Sequence, residues 1–299
     1  MSGTVTFLNV GQGHAAVVAS DGAAAVVDCP HIGPDAVVAA LHEGGIDGVE
    51  AIFVTHRDLD HCGGVPDLLE RLDVGIVYLN FAWAVPPESS AKVRVKAVLS
   101  SIFSKAERDA VPIEHVYAGA ASTVGSAEWL VLAPTVYDAG RATLNDATNR
   151  ASMVIVWSLD GRRFLLMGDA DHVTIDRLLA GDADLTVDVL LASHHGAKIA
   201  NTGALLDRAA PSFAVISVGR VNAYGHPHED TLNALAHKAG CRIMCTQVNG
   251  LCEPNTVAEP ACAGSVRFVV DAGALTVEPS EVQHDATIAG WSAPRCLAG

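Results

Sequence analysis

The stretch THRDLDHCGG, Thr55 to Gly64, sets two histidines and two aspartates within six residues and ends on a glycine pair. A solvated acidic loop has no need of the histidines, and a core segment does not tolerate bare aspartates. His56 and Asp58 are two apart, so in an extended segment their side chains leave on one side. Asp60 and His61 are adjacent and need a turn to aim inward together, and Gly63 and Gly64 permit a sharp one. Two donor pairs diverging from one loop suit two cations. Metals about 3.5–4 Å apart are a recurrent device for polarising and clamping a scissile ester or phosphoryl group.

This loop hangs from VEAIFVT (Val49–Thr55), whose continuous apolar run predicts a buried strand. Upstream, TVTFLNV (Thr4–Val10), AAVVAS (Ala15–Ser20) and AAAVVDC (Ala23–Cys29) read as short strands, followed by a helix that starts at Pro34. Downstream come a helix at Val65–Leu72, a strand at Val74–Asn80 and a longer helix from Ser89 to about Ala110. The polar segment Tyr137–Arg150 is predicted to be a mobile loop. Asp160-Gly161 marks a hairpin, and LTVDVLLASHH (Leu185–His195) and FAVISVG (Phe213–Gly219) read as further buried strands. Glu229–Gly240 is predicted helical, and a last hairpin turns at Asp271-Ala272-Gly273. Strands first and strand–helix alternation afterwards, in both halves, predict two facing sheets with helices outside: an α/β fold in four αββα layers. Residues 1–280 are expected to form one domain, with 281–299 a loosely ordered tail.

One loop cannot complete two coordination shells, and later strand ends carry the missing donors. Asp169, in MGDAD, offers a carboxylate able to bridge two ions, and His194 and His195, in LASHHGA, offer imidazoles. His226 and His228 stand on a further loop, where they can protonate a leaving group or hold a phosphate oxygen. Taken singly, each has a plainer reading: Asp169 as a helix N-cap, His194 as a strand-end histidine, His228 as a cap. The coincidence decides against those readings, because six of the thirteen histidines fall in three such loops. Three carboxylates (Asp58, Asp60, Asp169) facing two dications leave a locally positive pocket for an anionic substrate.

The bulk composition bounds the rest. Half of the 299 residues are apolar and the net charge is −15, which argues against an extended basic track for polyanions. The start MSGTVTF has no basic flank or apolar core of a signal peptide, and no apolar run approaches a membrane span. A cytoplasmic protein without membrane contact is expected. The seven cysteines include a cluster at Cys241, Cys245, Cys252 and Cys262 whose spacing is not that of a zinc ribbon. Buried free thiols are the plain reading, a structural zinc or redox disulfide the sharper one.

The order of these motifs resembles the metallo-β-lactamase fold superfamily, and within it the ComEC-like branch of competence-protein hydrolase domains. The resemblance rests on FLNVGQGHAAVV (Phe7–Val18), VVDCP (Val26–Pro30), THRDLDHCGG, NRASMVIV (Asn149–Val156), MGDAD, ASHHGA and YGHPHEDTL (Tyr224–Leu232). It implies an αββα metallo-β-lactamase fold with metals at the seam. It further implies His56, Asp58, Asp60, His61 and Asp169 as ligands, joined by His194 or His195. Asp28 matches an aspartate that supports the metal-binding loop, and Asn149, Ser152 and His226 match positions near the substrate. The chain departs from the branch at His14 and Asn9, where aspartates are usual. The first of these alters the polar set at the pocket rim. Cys62 is a further departure. The transmembrane channel that accompanies the domain in ComEC has no counterpart here, so DNA uptake is not expected.

The leading expectation is a dinuclear zinc or manganese hydrolase, a phosphodiesterase or nuclease on DNA or single-stranded nucleic acid. A metal-bound hydroxide would attack phosphorus while Asp60 and Asp169 hold the ions and His226 or an adjacent histidine assists the leaving oxygen. Asp58, an oxygen donor, raises the standing of manganese or magnesium, while the imidazoles suit zinc. The alternatives are a small-ester hydrolase, such as a phosphorylcholine esterase or lactonase, and a partner-gated binding module. A protein partner or homo-oligomer is compatible with each.

Overall fold

A computed structural model of the chain describes residues 2–80, 90–145, 147–220, 222–238, 240–247 and 264–280. The first sheet takes β1 (Ser2–Phe7), β2 (Ala16–Ser20), β3 (Ala23–Val27), β4 (Gly48–Phe53), β5 (Asp73–Leu79) and β6 (Ile113–His115). The hairpin β14 (Val266–Asp271) and β15 (Ala274–Pro279) returns to its edge, giving the order β15-β14-β1-β2-β3-β4-β5-β6. The second sheet takes β7 (Ala121–Val124), β8 (Ala127–Ala133), β9 (Val154–Leu159), β10 (Arg162–Leu166), β11 (Val189–Leu191), β12 (Phe213–Ile216) and β13 (Arg242–Cys245). Its order is β13-β12-β11-β10-β9-β8-β7.

Residue parity sorts the strands into layers. On β3, Ala25 and Val27 enter the core between the sheets, while Ala24 and Val26 face the outer helices. A strand covered on both sides needs apolar residues at every position, which is why these strands read as unbroken apolar runs. Phe53 meets Trp129 and Trp157 edge-on in the central layer, at ring separations of 5.1 and 5.3 Å. Such pairs add about 0.5–1.5 kcal/mol each beyond the burial itself.

Helices α1 (Pro34–Glu43), α2 (Leu59–Cys62), α3 (Val65–Arg71) and α4 (Ser90–Arg108) belong to the first half of the chain. On α1, Pro34, Val37 and Leu41 form the buried stripe, and the helix stops at Gly44. Helices α6 (His172–Ala180), α7 (Gly203–Ala209) and α8 (Glu229–Ala236) back the second sheet, where Ile175, Leu205 and Leu232 join its outer core. The four layers are those expected.

Several local expectations need correction. Tyr137–Arg150 is not a loop: it holds α5 (Val136–Asn145) and a 3-10 turn at Thr148–Ala151. Thr135 Oγ1 accepts the Asp138 N–H at 3.1 Å, an N-cap bond, and donates to Asp138 Oδ2 at 2.8 Å. The Leu185–His195 strand shrinks to β11, and the Glu229–Gly240 helix ends at Ala236. The capping carboxylate of α6 is Asp171, which accepts the Thr174 N–H, and not Asp169. The expected tail at 281–299 and Cys252, Cys262 and Cys296 lie outside the described residues. Cys29, Cys62, Cys241 and Cys245 are buried.

All the donor loops leave one end of the sandwich. β3 and β4 run parallel, as do β10, β11 and β12. Within each set the C-terminal ends point one way, the side on which α/β sheets generally place their sites, and the loops of the two sets meet there, His61 against Asp169 and Asp60 against His195.

Candidate metal centre

The loop Thr55–Gly64 divides as its spacing suggests. Asp58 is extended (φ −71°, ψ 145°) and the backbone then enters the single turn α2, which re-aims Asp60 and His61. The turn is tied down by its own carbonyls: His14 N–H donates to Asp60 O at 3.0 Å and Cys29 N–H to His61 O at 2.6 Å. Gly13 permits this approach, since a Cβ there would sit 2.6 Å from the Asp60 carbonyl.

Two overlapping sets of donor atoms converge. His56, His61 and Asp169 form one set, Asp60, His61 and His195 the other, with the atoms of each within 4.8 Å of one another. His61 Nε2 lies 3.1 Å from Asp169 Oδ1 and 3.3 Å from His195 Nε2. His195 Nε2 is 3.4 Å from Asp60 Oδ2. Asp58 Oδ2 reaches within 3.7 Å of His56 Nε2 and accepts from Thr148 Oγ1 at 3.2 Å. His56 Nε2 and Asp169 Oδ1 are buried without a hydrogen-bond partner. Buried polar atoms are nearly always paired, so two such orphans within one cluster of donors fit a cation.

The histidine pair is divided by its backbone. His194 (φ 50°, ψ 51°) and His195 (φ 53°, ψ 26°) are both left-handed, a conformation costing roughly 1–2 kcal/mol per residue. It sends the rings apart, 70° from coplanar. His195 donates from Nδ1 to Ser217 O at 2.8 Å, which leaves Nε2 bare toward the donor cluster. The His194 side chain is 32% exposed at the mouth, 3.6 Å from Asp169 Oδ2, with the Asn149 amide 3.3 Å from its Nδ1. Of the two, His195 occupies the inner position.

Asp28 sits beneath, fully buried. Its Oδ1 accepts the Thr55 N–H at 2.7 Å, and its Oδ2 accepts Thr55 Oγ1 and His61 Nδ1, each at 2.7 Å. This fixes His61 with Nε2 toward the cluster. Ser152, expected near the substrate, is buried: it accepts the Asp169 N–H at 2.8 Å and reaches His56 Nδ1 at 3.4 Å, so it ties two of the donor residues together. His14, expected to support the ligands from behind, is 2% exposed, with Nδ1 3.2 Å from Ser217 Oγ and its ring 6.2 Å from that of His61. Burial lowers its pKa to about 3, which keeps it neutral. Cys62 Sγ turns to the Arg57 carbonyl at 3.2 Å, and burial pushes its thiol up, so it is not a donor here. Thr55, Thr148 and Ser217 were missed in the sequence. Only Thr55 and Thr148 had a signal, as neighbours of ligand motifs.

The cluster's electrostatics favour a cation. Burial raises Asp169 and Asp60, yet His61 and His195 override it and both carboxyls end low. Burial lowers His61, yet Asp169 and Asp28 hold it well above the ordinary imidazole value of 6.5. The site is built around positive charge, which a proton on His61 or a metal ion can supply. A raised folded pKa stabilises the metal-free protein below 6.5 and ceases to do so as pH rises through the elevated value. The thermal shift produced by saturating Zn²⁺ or Mn²⁺ should therefore be larger at pH 8 than at pH 6, with proton release on metal binding at the lower pH. Melting scans and calorimetry in paired buffers check this, and a pH-independent shift would contradict it.

Gly168, immediately before Asp169, is left-handed (φ +49°), and a Cβ there would overlap Ser152 Oγ and press Thr55 at 3.1 Å. Gly168→Ala should cost about 1–3 kcal/mol and weaken metal binding roughly 10–100-fold. Chelator competition measures the second effect.

The family profile of the metallo-beta-lactamase superfamily matches residues 8–220. ComE operon protein 3 of Bacillus subtilis (strain 168) is 25% identical over 219 residues, 73% of this chain and 26% of that protein. Recombination protein 2 of Haemophilus influenzae is 26% identical over 253 residues, 82% of this chain and 28% of that protein. The chain thus spans about a quarter of the length of these curated relatives. Among solved structures, the metallo-beta-lactamase fold protein YhfI from Bacillus subtilis matches with a TM-score of 0.52 at 9% identity, covering 81% of this chain and 96% of that one. That likeness concerns the fold, and it agrees with the layers and the profile. The chain belongs to the metallo-beta-lactamase superfamily, with its likeness among curated proteins in the ComEC-like branch.

Proposed function

We propose that the chain is a phosphodiesterase cleaving DNA or single-stranded nucleic acid at a pair of divalent ions, zinc or manganese. His56, Asp58, Asp60, His61, Asp169 and His195 would hold them. The observation that carries this reading is the pair of donor sets sharing His61, with His56 Nε2 and Asp169 Oδ1 buried and unpartnered. Ions bound there would supply an activated water and neutralise charge on a phosphoryl group. Residues 1–280 are taken as the hydrolase unit, because β14 and β15 complete the sheet that β1 begins.

The protein's own groups divide the remaining work. Asp169 faces both donor sets, so it sets their separation. Burial, then His194 and His195, lower the His226 pKa to about 4, so at neutral pH this ring holds a phosphoryl oxygen by an N–H and is not an acid. His194, exposed at the mouth and steadied by Asn149, is placed to hand a proton to the leaving oxygen. His228 Nδ1 accepts the Lys198 N–H at 2.9 Å and supports the His194 loop. The names of the relatives, a ComE operon protein and a recombination protein, favour nucleic acid. The net charge of −15 favours the second reading, a small-ester hydrolase.

The test is a substrate panel with Mn²⁺ or Zn²⁺: single-stranded and duplex DNA, RNA, a phosphorylcholine ester and a lactone. Cleavage of single-stranded DNA is expected. Intact nucleic acids beside turnover of a small ester would overturn the reading.

A further inference from the structure

Tyr224 is 65% exposed, on the loop that carries His226. One of its faces lies against His226, with ring centroids 5.6 Å apart and planes 23° from parallel. His226 stacks in turn toward His195, at 6.1 Å and 27°. A column of three rings therefore runs from the surface to the imidazole whose Nε2 is 3.4 Å from Asp60. The outermost ring is not on a loose loop. Asn222 Nδ2 donates to the carbonyls of Gly219 and His226 at 2.9 and 2.8 Å, and its Oδ1 accepts the His226 N–H at 2.9 Å. Tyr224 stands at the apex of that clamp. A rigid, two-torsion aromatic loses little entropy when a ligand packs on it.

We propose that Tyr224 is a stacking platform for a base of the bound strand, next to the scissile phosphodiester. The proposal rests on the nucleic-acid reading above and adds how the strand is gripped. Every base offers a π-face, and stacking on an exposed aromatic tolerates any sequence. It also answers the charge problem. A chain of net charge −15 gains little from phosphate contacts, whereas stacking does not depend on counterion release. A quaternary ammonium group fits less well, because such ligands are held in cages of several aromatics. Among the described residues Tyr224 pairs only with His226.

The experiment compares wild type, Tyr224→Ala and Tyr224→Trp with Mn²⁺ present. Binding is read by anisotropy with a phosphorothioate oligothymidylate and with an abasic strand of the same length and backbone. Turnover is read on single-stranded DNA and on glycerophosphocholine. Tyr224→Ala should weaken the base-bearing strand about tenfold or more, leave the abasic strand nearly unchanged, and raise KM more than it lowers kcat. Tyr224→Trp should retain the preference for bases. Equal loss on both strands, or loss on neither, overturns the proposal, and an effect confined to glycerophosphocholine reassigns the ring to a quaternary ammonium. A Tyr224-dependent base preference in a protein that cleaves no nucleic acid upholds the platform and sinks the nuclease reading. Cleavage that is indifferent to Tyr224 does the reverse.

Discussion

Asp169→Ala should abolish hydrolysis, with a loss on the order of 10⁴ in kcat, and should lower metal content at both positions. Its carboxylate oxygens reach His56 and His194 on one side (3.7 and 3.6 Å) and His61 and His195 on the other (3.1 and 3.6 Å). Removing it leaves two donor sets with no shared anion to offset the repulsion between two dications. The fold should survive, because the backbone N–H of residue 169 keeps its bond to Ser152 Oγ. Metal analysis, melting temperature and turnover together separate this outcome from unfolding. Retained function in the variant would instead support a non-catalytic binding module.

Asp28→Ala should do the opposite: its first effect is on stability. Three donors converge on this buried carboxylate, two from Thr55 and one from His61. Its loss strands a buried N–H and frees His61 to turn. Breaking a buried pair of this kind costs about 3–5 kcal/mol, and removing such support from a ligand weakens metal binding roughly 10–100-fold. The left-handed backbone at Asp28 (φ 60°) adds a further penalty for alanine. Asp28→Asn, which keeps an acceptor for the Thr55 N–H, should be milder. Denaturant unfolding of both variants checks the order, and equal stabilities would contradict it.

Much of this was legible in the sequence where residue chemistry and spacing agree. THRDLDHCGG divides into an extended pair and a turned pair as its glycines suggest, and the Asp160-Gly161 hairpin takes the left-handed angles that its dipeptide favours. What spacing could not decide was His194 against His195. Adjacent residues carry no facing information until the backbone is known, and here both adopt left-handed angles. Strand ends were overrun for a related reason: an apolar run such as Leu185–Ala192 continues past β11 because the loop beyond is also buried. The α5 helix was lost to its polar composition. Thr135-Val-Tyr-Asp138 was the available signal, a threonine N-cap ahead of the buried Ala139 and Ala142. The supporting role of Ser217, whose carbonyl orients His195, had no motif to announce it, since a backbone carbonyl is available at every position.

The most direct measurement is anomalous diffraction from crystals grown with Mn²⁺ and with Zn²⁺. The expected result is two peaks about 3.5–4 Å apart, one touching His56 and Asp58, the other Asp60, His61 and His195, with Asp169 touching both. A saturated crystal with no metal at these side chains, or with His194 in place of His195 as an inner ligand, would contradict the account.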